Sequence, residues 1–574
     1  MAPKIEYRLH APVPALVQKE LSGYDPLTQQ LLCNRGITES TTAEAFLHPD
    51  YDRHLHDPFL LTDMSVAVER ILSAIQNDEH IIIYSDYDCD GIPGGVLMYD
   101  FFEAVGFANF ENYIPHRHEE GYGFNKDSVG AFVGKNTKLI ITVDCGIVDH
   151  EATEAANKNG IDVIITDHHE PSDSLPPALA VLNPKRADDA YPFKGLCGTG
   201  VAYKLVQALI EKGKERKLIE LKEGWEKWWL DVVGIATIAD MVPLTGENRT
   251  LAHYGLQVLR KSRRPGLQQL MQKAGGSQRH ITEDDIGFTI GPRINAASRM
   301  DDPEDAFHML RTKDEVEAGE RVRHLEKLNN ERKGVVASMT KEVKKRMKQF
   351  PEVPGVIVLG NPDWRPSLVG LVANSIVEEF RRPAFLWGRD GKNVIKGSCR
   401  SDGVVSTLHL MEATPDSFLE FGGHHASGGF SVSEARIHTL MDDLNRAHEK
   451  ISVTEQSHMH EVMIDAELSL DDMDDGFIRT LAMLAPFGEE NPKPVFRIRD
   501  VVPNRVEVFG KTKNHTKLVF DTKHGRREAI AFFKTPDQFG IVPEELVSHT
   551  LIAHVERSHF MGKLQTRLRI IDIV

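Results

Sequence analysis

Cysteine is scarce in this chain. Cys33, Cys89, Cys145, Cys197 and Cys399 form no CxxC pair and leave one thiol over in any pairing. That sets aside a disulfide framework and a zinc ribbon, and favours reduced thiols of the kind kept in a cytoplasm. No stretch approaches the ~18 consecutive apolar residues of a membrane span, so no membrane association is expected. The start, Met1-Ala2-Pro3-Lys4-Ile5-Glu6, lacks a charged leader followed by an apolar block, and no secretory signal is expected. A GxxxxGK[ST] loop is missing, which removes support for ATP hydrolysis. There is no low-complexity tract and no internal repeat of fixed period. Excess positive charge is absent too. A net charge of -17 argues against a uniformly basic coat for nucleic acid. It leaves room for a local basic groove or for carboxylates clustered around cations.

With 574 residues, 41% of them hydrophobic and 27% charged, the chain has the composition of a soluble globular protein and is too long for one core. Ile81–Tyr84, Leu139–Val143 and Val163–Thr166 are short β-branched runs that read as strands buried on both faces. Helix-compatible segments separate them, which predicts βαβ units and a parallel sheet. Two further helices are expected over Val201–Lys212 and Trp225–Ala239. From Asp314 to Lys348, apolar residues recur at mostly helical spacing in a charged background. This predicts a long helix between two lobes, weakened locally at Gly334. Val356–Leu359 opens a second α/β segment. Beyond Ser452, five short strand-like segments from Arg505 to Ile573 point to a small β-barrel. The expected division is an N-terminal segment (1–79) packed on a catalytic lobe (80–313), a connecting helix (314–350), a second lobe (351–452) and the barrel (453–574).

The informative residues follow the predicted parallel strands. The first strand runs into Asp86-Tyr87-Asp88-Cys89-Asp90-Gly91, the second into Asp144-Cys145-Gly146 and the third into Asp167-His168-His169. Asp240 lies near the end of a later helix. An open α/β sheet binds its ligand outside the carboxyl ends of its strands. Any one of these aspartates could simply cap a helix. A calcium loop is unsupported, because the terminal glutamate of such a loop is absent. Together, so many carboxylates at neighbouring strand ends would repel one another without cations. Carboxylate oxygens with imidazole suit Mn²⁺ or Mg²⁺, and paired cations ~4 Å apart serve in-line displacement at phosphorus.

These segments resemble, in order, the four motifs of the DHH phosphoesterases. Further matches resemble the RecJ-like exonucleases within that family: His56–Phe59, Gly198–Ala202, Gly291–Ala297, Leu328–Arg332, Trp364–Gly370, Gly397–Ser401, Gly422–His424 and Gly488–Phe496. The resemblance covers nearly the whole chain. It implies an α/β fold class: a parallel-sheet DHH lobe and a smaller α/β DHH-associated (DHHA1) lobe joined by a long helix, then an oligonucleotide-binding (OB) barrel. It implies degradation of single-stranded DNA 5′ to 3′ to mononucleotides with two divalent cations, Mn²⁺ or Mg²⁺, in DNA repair and recombination. By position, Asp86, Asp88, Asp90, Asp144, His168 and Asp240 would be metal ligands, with Asp144 as the bridge. Asp167 would be a ligand or orient the ligands, and His169 would meet the scissile phosphate or assist proton transfer. Arg293, Asn295, Ser398, Arg400, Ser401, Gly423 and His424 match substrate-binding positions, where an Arg fork suits phosphate.

The chain departs from the family pattern at Ser85, Pro93, Ser298, Arg365 and His425. None of these removes a predicted ligand, while Arg365 and His425 bear on substrate preference. Between Arg505 and Lys534, eight Lys/Arg stand against three Asp/Glu, with Phe509, Phe520, Phe532 and Phe533 among them. Basic groups and aromatics are how OB barrels hold single strands, although Phe520 and Phe532 are expected in the barrel core. Expected partners are single-stranded DNA, with a helicase and a single-strand-binding protein, and the chain is expected to act as a monomer. The sequence leaves two other functions open. One is a DHH phosphodiesterase for short oligonucleotides or cyclic dinucleotides; the other is a non-catalytic replication scaffold, which typically loses the ligands present here.

Overall fold

A computed structural model describes residues 5–455, 461–510, 512–543, 545–560 and 563–574. Residues 1–4, part of the start read for a leader, lie outside the described residues. So does Lys511, one of the eight basic residues counted at the barrel. The catalytic sheet holds β1 (His80–Ser85), β2 (Phe110–Tyr113), β3 (Thr137–Val143), β4 (Asp162–Thr166) and β5 (Ala180–Leu182). All are parallel, in the order β2-β1-β3-β4-β5. The apolar runs form these strands because each feeds two cores at once. Ile81 and Ile83 join one hydrophobic cluster, while Ile82 and Tyr84 join another on the opposite face. Strand order reverses between β1 and β3, and such a switch point opens a crevice at the strands' carboxyl ends.

Helix α1 (Gly91–Ala104) follows β1, and α2 (Gly198–Glu215) and α3 (Leu230–Ala239) pack behind the sheet. The helix expected over Trp225–Ala239 begins instead as a 3₁₀ turn, Trp225–Trp229, entered through left-handed Gly224. Next come α4 (Gly291–Met300), the connecting helix α5 (Glu315–Met347) and α6 (Pro366–Phe380). The Asp314 carboxylate caps α5 by accepting hydrogen bonds from the Val316 and Glu317 N–H groups. Gly334 does not interrupt it. The second lobe is a mixed sheet of β6 (Ile357–Gly360), β7 (Ala384–Arg389), β8 (Ile395–Arg400), β9 (Glu420–Gly423) and β10 (Ser427–Val432), in the order β9-β10-β8-β7-β6. Its last helix, Leu440–Glu455, runs past the boundary expected after residue 452, and residues 456–460 lie outside the described residues.

The OB barrel contains β11 (Ala466–Leu468), β12 (Phe496–Val501), β13 (Arg505–Phe509), β14 (His515–Thr522), β15 (Gly525–Ala531), β16 (His549–Phe560) and β17 (Lys563–Ile573). Among the described residues their order is β11-β12-β16-β17-β15-β14-β13. The structure divides the N-terminal stretch rather than packing it whole on the catalytic lobe. Glu6–Leu9 pairs in parallel with Glu461–Ile464, and Leu31, Leu32, Phe46 and Leu47 share the barrel core with Phe477 and Phe496. Only from Tyr51 onward do buried side chains of this stretch join the catalytic core. Both parts are amphipathic, so periodicity shows that each buries a face without showing against which partner. The buried Arg249 guanidinium ties the junction by donating to the carbonyls of Phe46 (2.5 Å), Met483 (2.9 Å), Leu484 (3.0 Å) and Ala485 (3.2 Å).

Candidate metal centre and active site

The residue after each central strand extends the ladder by one more bond. Asp86 N–H donates to the Val143 carbonyl (3.1 Å), Asp144 N–H to Thr166 (2.9 Å) and Asp167 N–H to Leu182 (3.0 Å). Three aspartates from separate motifs therefore stand side by side at the switch point. Asp144 adopts a left-handed backbone, φ 62°. Glycines make the approach possible: a Cβ on Gly198 would lie 2.5 Å from Cβ and Oδ1 of Asp144, and one on Gly91 would lie 2.5 Å from the Asp86 carbonyl. Asp240, at the end of α3, completes the ring.

Three groups of ligand atoms form within 4.8 Å: Asp86, Asp88 and Asp144; Asp90, His168 and Asp240; and Asp144, His168 and His169. Asp144 and His168 each belong to two groups. His168 Nε2 lies 3.3 Å from Asp144 Oδ1, 3.6 Å from Asp240 Oδ2 and 3.8 Å from Asp90 Oδ2. Asp86 Oδ1, Asp144 Oδ1 and His168 Nε2 are buried without a hydrogen-bond partner among the described residues. Orphaned buried acceptors cost too much to be left so by a fold that does not use them, and these oxygens and imidazole fit divalent cations. Burial, then the neighbouring charge of Asp88, pushes the Asp86 carboxyl well above its usual range; for Asp144 the causes are burial, then Asp90. Asp240 is pushed up to about 9 by burial and by Asp90 and Asp88. Burial lowers His168, which favours the neutral, ligating imidazole.

The other members are held in place by hydrogen bonds. Asp88 Oδ1 accepts from the N–H groups of Asp90 (2.7 Å) and Gly91 (3.1 Å), which fixes the loop. The Asp90 carboxylate accepts from the Gly198 (2.6 Å) and Thr199 (2.8 Å) N–H groups at the start of α2. Asp167 is occupied on both oxygens: Oδ1 by His168 N–H (2.7 Å) and His169 Nδ1 (2.8 Å), Oδ2 by Ile147 N–H (3.0 Å). Burial alone would raise Asp167, but the bond and charge of His169 hold it below its ordinary value. In return, Asp167 outweighs burial and raises His169. Asp167 thus orients the histidines and stands outside the three ligand groups.

The expected substrate-binding residues fare unequally. Asn295 Oδ1 accepts the Cys89 N–H (3.0 Å), bracing the aspartate loop from α4. Arg293 is held by Glu326 (2.6 Å) and the Thr289 carbonyl (2.8 Å) rather than left open to the cleft. Arg400, on β8, lies over Gly370 of α6 close to Ser398, and its Nη1 donates to the Cys399 carbonyl. The Ser401 hydroxyl donates to the Val405 carbonyl (2.6 Å) within its own turn. Gly423 and His424 form an exposed hairpin turn. A Cβ on Gly423 would strike Gly428 and the Ser427 carbonyl, so the glycine serves strand approach within the hairpin.

Three residues escape sequence reasoning. Arg299 is half-buried on α4, donates to the Ser367 carbonyl (2.7 Å), and interacts electrostatically with Arg117, Asp88, Arg332 and Arg400. Arg117 lies over the Tyr87 ring at 4.6 Å. Tyr122, flanked by left-handed Gly121 and Gly123, brings its hydroxyl 3.1 Å from His169 Nδ1. The two glycines were the only signal for it. At the barrel, Arg505, Lys517, Lys523 and Arg526 pair with carboxylates. Phe520 is core, Phe532 is half-buried and Phe533 is 75% exposed, so the aromatic face is narrower than the count implies.

Residues 80–237 match the family described as "DHH family, N-terminal domain", and residues 464–572 match the "RecJ OB domain". The single-stranded-DNA-specific exonuclease RecJ of Bacillus subtilis (strain 168) is 34% identical over 548 residues, spanning 95% of this chain and 68% of that protein. The protein of the same name from Haemophilus influenzae is 31% identical over 524 residues, spanning 88% and 89%. The crystal structure of RecJ from Thermus thermophilus in complex with Mn²⁺ superposes with a TM-score of 0.82 at 27% identity, covering 100% of this chain and 80% of that one. The corresponding Mg²⁺ complex gives 0.75 at 25% identity, covering 99% and 78%.

Proposed function

This chain belongs to the RecJ family of single-stranded-DNA-specific exonucleases, and we propose a site-by-site account of how it acts. It is a phosphodiester hydrolase that shortens single-stranded DNA with two divalent cations, Mn²⁺ or Mg²⁺. Asp86, Asp88 and Asp144 would hold one cation and Asp90, His168 and Asp240 the other, with Asp144 shared. The single observation that carries this assignment is that Asp144 belongs to two of the three ligand groups while its Oδ1 has no other partner. Bound there, the cations lower the pKa of a water and screen the scissile phosphate. His169 donates its Nδ1–H to Asp167, and as the imidazolium that Asp167 favours it would offer the Nε2 proton to the phosphate or the departing oxygen. Arg400, with Arg299 and Arg117, would supply positive charge opposite the carboxylates, and Asn295 keeps the aspartate loop in register.

Polarity from 5′ to 3′ and release of mononucleotides belong to the same proposal, as do a helicase that exposes the strand and a protein that keeps it single. All the predicted ligands come from one chain, which suits a monomer, and five free thiols suit a reducing cytoplasm. The test is digestion of 5′-labelled and 3′-labelled single strands with Mn²⁺, beside Asp144→Ala and a dinucleotide substrate. Early release of the 5′ label as a mononucleotide is expected, with at least a thousandfold loss in the variant. Cleavage of the dinucleotide alone would replace the exonuclease with a small-substrate phosphodiesterase. Strand binding without any cleavage would make the chain a scaffold.

A further inference from the structure

A groove of about 880 Å³ lies along the connecting helix α5, against α6, and no part of the site described above uses it. Its cations are Arg332, Lys333, Lys341, Lys344, Lys345 and Lys348. They occupy two adjacent helical rows of period four, one running from 332 to 348 and the other from 333 to 345. An α-helix places such residues on one face. Between the charged ends the floor is Val336 and Ala337, with Leu371 facing them from α6. Cations at a helix C-terminus commonly offset its dipole. That accounts for Lys344 and Lys345 in the last turn, but not for Arg332, Lys333 or Lys341, which lie further back. Lys344 pairs with Glu379. Lys333, Lys341, Lys345 and Lys348 make no ion pair among the described residues, and all four are exposed.

One end of the groove lies beside the arginines that act on the ligand ring. Arg332 sits at its near end, donates to Asn329 Oδ1 (3.0 Å) and keeps a buried Nε without a partner. Arg332 and Arg400 both act on Arg299, which in turn senses Asp88 of the ligand ring. From Arg332 to Lys348 the helix extends about 24 Å at ~1.5 Å per residue. A polymer engaged at the cleft can therefore reach along it, whereas a dinucleotide cannot.

We propose that this groove is a second binding track for single-stranded DNA, in which the α5 lysines hold phosphates and the apolar floor receives sugar or base faces. A polyanion matches the charge of the walls, and the polyanion that the neighbouring site acts on is the substrate. Phosphate contacts of this kind carry no sequence preference and release counterions. The inference rests on the exonuclease reading, so the test separates the two.

The variant Lys341→Ala/Lys345→Ala/Lys348→Ala is compared with the unaltered protein for binding of a phosphorothioate 20-mer across a salt series, and for dinucleotide hydrolysis. Affinity for the 20-mer is expected to fall at least tenfold at low salt. The slope of log K against log salt should flatten by about 2, at ~0.7 per phosphate contact. Dinucleotide turnover should stay within twofold. A second measurement uses the unaltered chain: the bound 20-mer should protect Lys341, Lys345 and Lys348 from acetylation, with Lys158 exposed throughout as the reference. Equal affinity and slope, or no protection beyond that of Lys158, overturns the track and leaves an acidic protein segment as the better occupant. If the unaltered protein neither binds nor cleaves the 20-mer, the exonuclease reading falls first.

Discussion

At the scale of single residues, catalysis depends on atoms that are absent as much as on those present. Gly198 leaves the space that Asp144 fills, and a methyl group there meets Asp144 Cβ and Oδ1 at 2.5 Å. Gly198→Ala is therefore expected to displace the Asp144 carboxylate. An ångström of misplacement at a reacting centre costs about a hundredfold, and a loss of that order in kcat, with weaker Mn²⁺ binding and unchanged circular dichroism, is the expected result. Full activity in this variant would mean that Asp144 is not held where the structure places it. The aspartates and His168 that the fold gathers at the strand ends were legible in the sequence because each follows an apolar run or ends a helix. Arg299, Arg117 and Tyr122 were not, since each reaches the site through tertiary folding from segments with no motif of their own. Gly423 was readable as a glycine that matters, but its reason is the neighbouring strand.

At the scale of elements, the connecting helix shows what periodicity can and cannot give. Its limits and its apolar stripe follow from spacing. The groove against α6 does not, because the facing residues Leu371 and Ser375 come from another segment. Gly334 sits mid-helix, and nothing lies within 4 Å of the place a Cβ would take. Gly334→Ala should then stabilise the protein by about 0.5–1 kcal/mol, the ordinary difference in helix propensity, measured as a shift in urea midpoint with unchanged m-value. Stabilisation with a slower turnover would show that the glycine supplies bending between the lobes. The N-terminal helices teach the complementary lesson: their faces were legible, but the barrel as their partner was not, because the contact joins positions more than 400 residues apart, such as Thr28 and Thr480.

At the scale of the whole molecule, cations and folding are coupled. Five aspartates and an imidazole converge in a space from which water is largely excluded, so ions that bind only the folded chain stabilise it. At a hundred times the dissociation constant the gain is about 2.7 kcal/mol. Added Mn²⁺ should raise the melting temperature and a chelator should reverse the rise, while Asp144→Ala should show a smaller response. The left-handed backbone of Asp144 carries this further. An L residue other than glycine holds that conformation at a cost of roughly 1–2 kcal/mol, and here the same residue also carries a charge into a crowd of like charges. Asp144→Gly removes both burdens, so without cations it should melt above the native protein while being unable to cleave. The fold, in other words, keeps a reserve of stability that it gives up at this one position in exchange for turnover, and selection for heat resistance alone would discard the enzyme.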